Sequence, residues 1–509
     1  MITQNIPILV PVIYLIAAAA VPLLGYKRTL FAFCTALFGS AAAFCVGIIG
    51  LISVITNGPI SYHISGWMPP IGIELVLDPL SAFIIVVISG STLMVMMYSM
   101  NSLAQEIPDK IVPFYSLSML FLFGLSGMTV TGDLFNFFVF LEISAVAGYG
   151  LLAIGDRRAP FFAFRYLTLG TAAAAFYLLG VAFIFMSTGT LNIADIAQVL
   201  PEVKDHPPVI IALILIILSI SIKMGLFPVH QWLPDTYTSA SSTATALIAP
   251  IGTKVAAYFL IRIFTLYEYP PIIDILSIVA AASIIAGSLL AIVQPNLKRM
   301  LAYSSVANIG YIMLGITLAT PMAYIGALLH ILNHTMMKFV LFASAGGIMN
   351  NMKTLDITKL IGFPTVMPLT AVAFLIALFS MVGIPPTVGF FSKIYLLLGA
   401  IEAQEWFYVA AIVLSSLLAL VYLFRFISIA FFRPYNKSDD KKIVQVDGPP
   451  LPYTDLSENN TNKHFEAMKK NDMSPSMLFP VLLVAVGILI FGIFNGYIVS
   501  IISKSMPVF

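Results

Sequence analysis

The sequence predicts an all-α polytopic membrane protein of about 14 transmembrane helices, and three observations carry that reading. The 509-residue chain is 60% hydrophobic and only 9% charged, with a mean hydropathy of +1.00. Its apolar residues fall in runs of about 20, the length a helix needs to cross the hydrocarbon core. Its basic residues fall mostly in alternate connecting loops. That composition excludes a soluble globular protein, a nucleic-acid binder and a secreted disulfide scaffold. The net charge of +2 points to no particular partner.

Taken in order, the runs give spans over residues 5–25, 29–55, 78–100, 112–130, 134–155, 160–188, 209–238, 241–266, 272–294, 300–319, 321–349, 364–401, 405–432 and 476–503. The first reads as a retained helix, because Met1–Asn5 carries no positive leader region. Residues 57–77, with Gly58, Pro59, Trp67, Pro69 and Pro70, read as a turn or short hairpin. Spans seven and twelve are too long and carry helix breakers, Lys223-Met-Gly-Leu-Phe-Pro228 and Gly383-Ile-Pro-Pro386. Proline lacks an amide donor and glycine loosens the helix, so both spans are expected to unwind in mid-membrane. Such backbone is tolerated only inside protein or beside a wet cavity. The two breaks lie five spans apart, and an odd offset signals an inverted repeat. The expected units are helices 1–3 over 1–111, a five-helix repeat over 112–266, and its inverted copy over 272–432. A polar cytoplasmic loop over 433–475, a solvated linker by composition, and a last helix over 476–509 complete the chain.

Seventeen of the 25 Lys+Arg lie on the side of the odd-numbered loops, against Lys204, Arg262 and Lys504 on the other side and five deeper within spans. This asymmetry places the odd loops in the cytoplasm and both termini outside.

Ionisable residues inside the spans suggest the chemistry. Such a group costs several kcal/mol at mid-depth and is by default a functional candidate. Glu142 is the one carboxylate well inside a span; it either pairs with a cation or holds a proton, and the bland alternative is a static ion pair. Lys223 and Lys254 lie too deep to snorkel to the headgroups. For Lys223 the alternative is capping the carbonyls freed by the break. His330, His334 and Lys338 recur at i, i+4 and i+8 along one helix face, and histidine both donates and accepts near neutrality. Two histidines at that spacing also suit zinc, but no further ligand completes a set, so no metal is expected. Lys393 follows the second break nearer the outer end and suits an exit gate, with interfacial snorkelling as the alternative. Arg165, His230 and Asp235 are weaker candidates close to span ends. Cys34 and Cys45 share one apolar run and form no redox or metal motif. Gly148-Tyr149-Gly150 has the wrong spacing for a nucleotide loop, so no cofactor is expected.

Across about residues 75–430 the chain resembles the antiporter-like subunits of respiratory complex I, Mrp-type cation/proton antiporters and membrane-bound hydrogenases. LKRMLAYSSVANIGYIMLG (297–315) carries the likeness most specifically. IKMGLFPVHQWLPD (222–235), ALLHILNHTMMKFVLFASAG (327–346), GIPPTVGFFSK (383–393) and FRYLTLG (164–170) support it, Arg165 in the last replacing a frequent lysine. TGDLFNFFVFLEI (131–143) looks most like the D-type Mrp subunit and its hydrogenase counterpart. The resemblance implies proton-translocating roles for Glu142, Lys223, Lys254, His330, His334, Lys338 and Lys393. It also implies partner membrane subunits, a prokaryotic cell membrane, and protons with or without Na+ as the transported ions.

The expected mechanism starts with Glu142 holding Lys223 charged. When a coupled event weakens that pair, a proton shifts through Lys254 and the His330–His334–Lys338 stripe to Lys393 and leaves outside. The driving reaction is either Na+/H+ antiport or redox chemistry in the wider complex. The rival readings are a transporter binding a small solute at the two breaks, and a purely structural membrane subunit.

Overall fold

A computed structural model describes residues 3–267, 269–433 and 472–505 of the chain. The helices are α1 (Ile6–Gly25), α2 (Thr29–Asn57), α3 (Pro79–Glu106), α4 (Ile111–Val130), α5 (Leu134–Leu152), α6 (Ala159–Thr188), α7 (Ile193–Val203), α8 (Pro207–Met224), α9 (Trp232–Ser239) and α10 (Ser242–Leu266). They continue with α11 (Pro270–Ile292), α12 (Leu297–Thr317), α13 (Pro321–Met352), α14 (Phe363–Val366), α15 (Pro368–Val382), α16 (Val388–Glu402), α17 (Trp406–Ile427), α18 (Pro475–Ile493) and α19 (Asn495–Ser503). Thirteen described helices are long and apolar enough to cross a membrane. A fourteenth crossing is assembled from α15 and α16. The polar loop expected over 433–475 lies almost wholly outside the described residues.

Residue chemistry accounts for where the helices start and stop. Asp78, Asp133, Asn192, Ser241, Asn296 and Thr320 each accept a backbone N–H in the first turn of the helix they precede, satisfying donors that have no intrahelical partner. Both predicted breaks are present. Gly225 (φ 72°) ends α8 and Gly383 (φ 93°) ends α15 in the left-handed region, which glycine enters without a steric penalty. The chain restarts as α9 and α16.

Equivalent helices have equivalent neighbours. α4 packs on α5, α5 on α6, and α6 on both α8 and α9; likewise α11 packs on α12, α12 on α13, and α13 on both α15 and α16. Five crossings separate the equivalents, so the two units traverse the membrane in opposite senses. α10, α12 and α13 are almost wholly buried and form the central layer. α18 packs against α3, α13, α15 and α16.

Residues 60–63 and 74–77 form the expected hairpin, β1 and β2, antiparallel with Ile60 opposite Leu77. Two features differ from expectation. α7 occupies what reads as a loop: it is too short and polar to span, but buries Ile196 and Leu200 along one side. The last span is not continuous, since α18 stops at Ile493 and Phe494 separates it from α19, with the Asn495 side chain donating to the Gly492 carbonyl.

Candidate functional site

Lys223 stands in the last turn of α8, where the break turns it into the bundle. Its ammonium lies 3.7 Å from a Glu142 carboxylate oxygen, an ion pair too long for a hydrogen bond. It donates instead to the Tyr149 hydroxyl at 3.1 Å. Lys223 is buried, whereas the Glu142 side chain is 32% exposed. The carbonyl-capping role that suits Lys223 in sequence belongs to another group: the Trp232 indole donates to the Ile222 carbonyl at 2.8 Å. That indole is fixed by stacking on Tyr166, centroids 3.6 Å apart and 8° from parallel.

A cavity of about 50 Å³ lies beyond Lys223, lined by Ser144, Trp232, Tyr237, Gly252 and Thr253 among others. It exceeds the roughly 10–15 Å³ one water needs by this measure. Thr253 leads to Lys254, whose ammonium donates to the Thr253 hydroxyl at 3.0 Å and to the Ala249 carbonyl.

Along α13, His330, His334 and Lys338 share one face as their spacing predicts, all fully buried. α12 supplies matching polar groups at the same i, i+4 spacing. Asn308 donates to the Ser304 carbonyl at 2.6 Å, which orients its amide so that Oδ1 faces His330 Nε2 at 2.9 Å. Nε2 therefore carries the proton, and Nδ1 faces the Ser392 hydroxyl at 2.9 Å. Lys338 donates to Ser304 Oγ at 2.6 Å and to the Leu301 carbonyl at 2.8 Å. Neither ring nitrogen of His334 has a hydrogen-bond partner among the described residues. Its ring lies 6.3 Å from that of His330 and 15° from parallel.

Lys393 follows Ser392 on α16 and turns back under the second break. It donates to the Met381 and Val382 carbonyls, both at 3.0 Å, and to Ser416 at 3.3 Å. Its ammonium sits 4.8 Å from the Tyr311 ring centroid. Being 7% exposed, it does not snorkel; it is the lysine that caps freed carbonyls.

The weaker candidates stand apart from this row. Asp235 bridges Arg165 at 3.5 Å and Arg299 at 3.1 Å, and both arginine side chains are half-exposed. His230 is buried between Phe227 and Tyr303. Lys298 corrects the loop count. It reads as a loop residue but is 4% exposed and donates to the Ala240 carbonyl at 2.7 Å. It stands in the wall of a 680 Å³ cavity with Glu106, Asp156, Lys353 and Asp356, at the end of the bundle that carries the basic loops. Ser304, Asn308, Ser392 and Tyr149 also escape a search for charges. Their signal is the polar i, i+4 pair in α12 and a tyrosine seven residues after Glu142.

The model for the transmembrane family described as NADH:quinone oxidoreductase/Mrp antiporter matches residues 131–419. The N-type subunit of NADH-quinone oxidoreductase from Desulforudis audaxviator is 42% identical, over 99% of this chain and 99% of the relative. The D-type subunit of the Na+/H+ antiporter from Alkalihalophilus pseudofirmus is 30% identical over 82% of this chain and 85% of its own. Among solved structures, a chain of the membrane-bound sulfane sulfur reductase, an archaeal respiratory membrane complex, superposes with a TM-score of 0.88 at 27% identity, covering 98% of this chain and 97% of that one.

Proposed function

The chain belongs to the NADH:quinone oxidoreductase/Mrp antiporter family of membrane subunits, and from that premise we propose that it carries protons along the row from Glu142 to Lys393 within a larger complex of a prokaryotic cell membrane. One observation carries the reading. The row holds four buried lysines, Lys223, Lys254, Lys338 and Lys393, and one carboxylate, and beyond Lys223 each ammonium is held by neutral oxygens. A scaffold tied by buried charge would match each cation with an anion, because an uncompensated buried charge is strongly destabilising. Lysine amines held by hydroxyls and carbonyls, with two histidines between them, can gain and lose a proton in turn and suit a path on which a proton arriving at one site favours departure from the next.

Under the positive-inside assignment the 680 Å³ cavity opens to the cytoplasm and supplies protons, and Lys393 releases them outside. Both termini then lie outside. Partner subunits supply the driving reaction, whether sodium exchange or redox chemistry. A solute-binding transporter fits less well: the cavity within the row is about 50 Å³, against roughly 300 Å³ or more for a small-molecule site.

The deciding experiment substitutes Glu142→Ala and Lys223→Ala in the intact complex, with proton movement followed in membrane vesicles and assembly on native gels. Each variant should assemble and lose transport. Normal proton movement in either assembled variant sinks the proposal, and loss of assembly in both would favour the structural role.

A further inference from the structure

We propose that Tyr149 is a positioning residue for Lys223, holding its ammonium beside the cavity whenever the Glu142 pair loosens, and that residue 170 is glycine so that the hydroxyl can reach. The inference rests on the proton-row reading above. Glu142 and Tyr149 are seven residues apart on α5, two turns along one face. The ammonium thus has two partners on the same helix, and the hydroxyl at 3.1 Å is closer than the carboxylate at 3.7 Å. The Tyr149 ring is held edge-on against Tyr166, centroids 4.8 Å apart. Tyr166 is in turn stacked on the tryptophan that caps the break, so the hydroxyl is aimed by the same aromatic group that shapes the break.

Gly170, on α6, is the second observation. A Cβ there would collide with the Tyr149 hydroxyl and lie 3.4 Å from Lys223 Nζ. Gly180, ten residues on, shows what ordinary helix packing looks like: its Cβ would meet the Ala212 carbonyl and Ile216 of the neighbouring helix. At Gly170 the three nearest atoms all belong to the tyrosine and the lysine. The missing methyl therefore makes room for this pair rather than for a close approach of backbones.

Tyr149→Phe and Gly170→Ala in the intact complex test the idea through proton transport and its solvent deuterium isotope effect. Alanine is the better helix former, so Gly170→Ala leaves α6 sound. Tyr149→Phe should assemble normally and slow transport by about tenfold or more, tenfold being the lower end for one hydrogen bond to a charged group. Its isotope effect should rise, because transfer at a misplaced Lys223 becomes the slow step. Gly170→Ala, which pushes the tyrosine away from Lys223, should do the same. A merely structural bond would change the amount of assembled complex and leave the isotope effect unchanged. That result, or wild-type transport in Tyr149→Phe, would overturn the assignment. If Glu142→Ala and Lys223→Ala abolish transport while these variants do not, the row stands and only this inference falls.

Discussion

A lysine nitrogen buried against a carbonyl and a hydroxyl is held in place without a counter-ion, and this separates Lys254, Lys338 and Lys393 from Lys223. His334 is the extreme case, an imidazole in the middle of the row with neither nitrogen bonded to protein. Replacing it therefore removes no protein hydrogen bond among the described residues, and what the substitution tests is the path. His334→Ala should accordingly leave the complex assembled yet slow transport, while His334→Gln or His334→Lys keeps part of the rate by supporting a water chain. Full, equal rates in all three would remove His334 from the path. The charged members of the row were legible in sequence because an ionisable residue in an apolar run announces itself. Ser304, Asn308 and Ser392 were not, because serine and asparagine occur in spans for local reasons and only their partners across α12, α13 and α16 give them meaning. Lys298 differs for the opposite reason: a lysine beside a helix end looks solvated until the chain around Ala240, distant in sequence, is seen to cover it.

At the scale of elements, the breaks in spans seven and twelve were legible because glycine and proline act on their own backbone. The groups that heal them were not. An indole ten residues away in sequence satisfies the first, and a lysine eleven or twelve residues on satisfies the second. α7 was missed since its apolar side is too narrow to register as a span. A different contact fastens the opposite end of the bundle, where Arg262 of α10 pairs with Asp78 at the start of α3 and donates to Tyr258, whose hydroxyl reaches the Thr129 carbonyl. Burial alone would push the Asp78 carboxyl up, but Arg262 and the Ser81 bonds outweigh it and hold it below the ordinary value of 3.8. A depressed carboxylate stabilises the fold above its unfolded value, and that contribution is lost as pH falls through the folded one. Both side chains remain 20–25% exposed, so Asp78→Asn should cost about 1–2 kcal/mol at neutral pH. The melting temperature should drop relative to the parent, and the difference should vanish as acid protonates Asp78. An unchanged melting temperature at neutral pH would show that the pair contributes nothing.

At the scale of the whole molecule, fourteen crossings could be counted from composition because lipid imposes one length on every spanning helix, and the five-crossing offset gave the inverted relation before any contact was known. Orientation is a separate matter, since it rests on charge in the loops rather than on packing. Burial of Lys298 removes one residue from the basic count but leaves the asymmetry intact. The assignment is testable where the molecule is most open. Lys353 is an exposed wall residue of the 680 Å³ cavity, at the end assigned to the cytoplasm, and Lys204 follows α7 at the opposite end. With Cys34 and Cys45 first replaced, Lys353→Cys and Lys204→Cys can each be treated with a membrane-impermeant thiol reagent in intact cells and in inverted vesicles. Residue 204 should label in cells, and residue 353 only in inverted vesicles. The reverse pattern would turn the molecule over. The large charged cavity would then face outward, Lys393 would lie nearer the cytoplasm, and the row would have its entrance and exit exchanged.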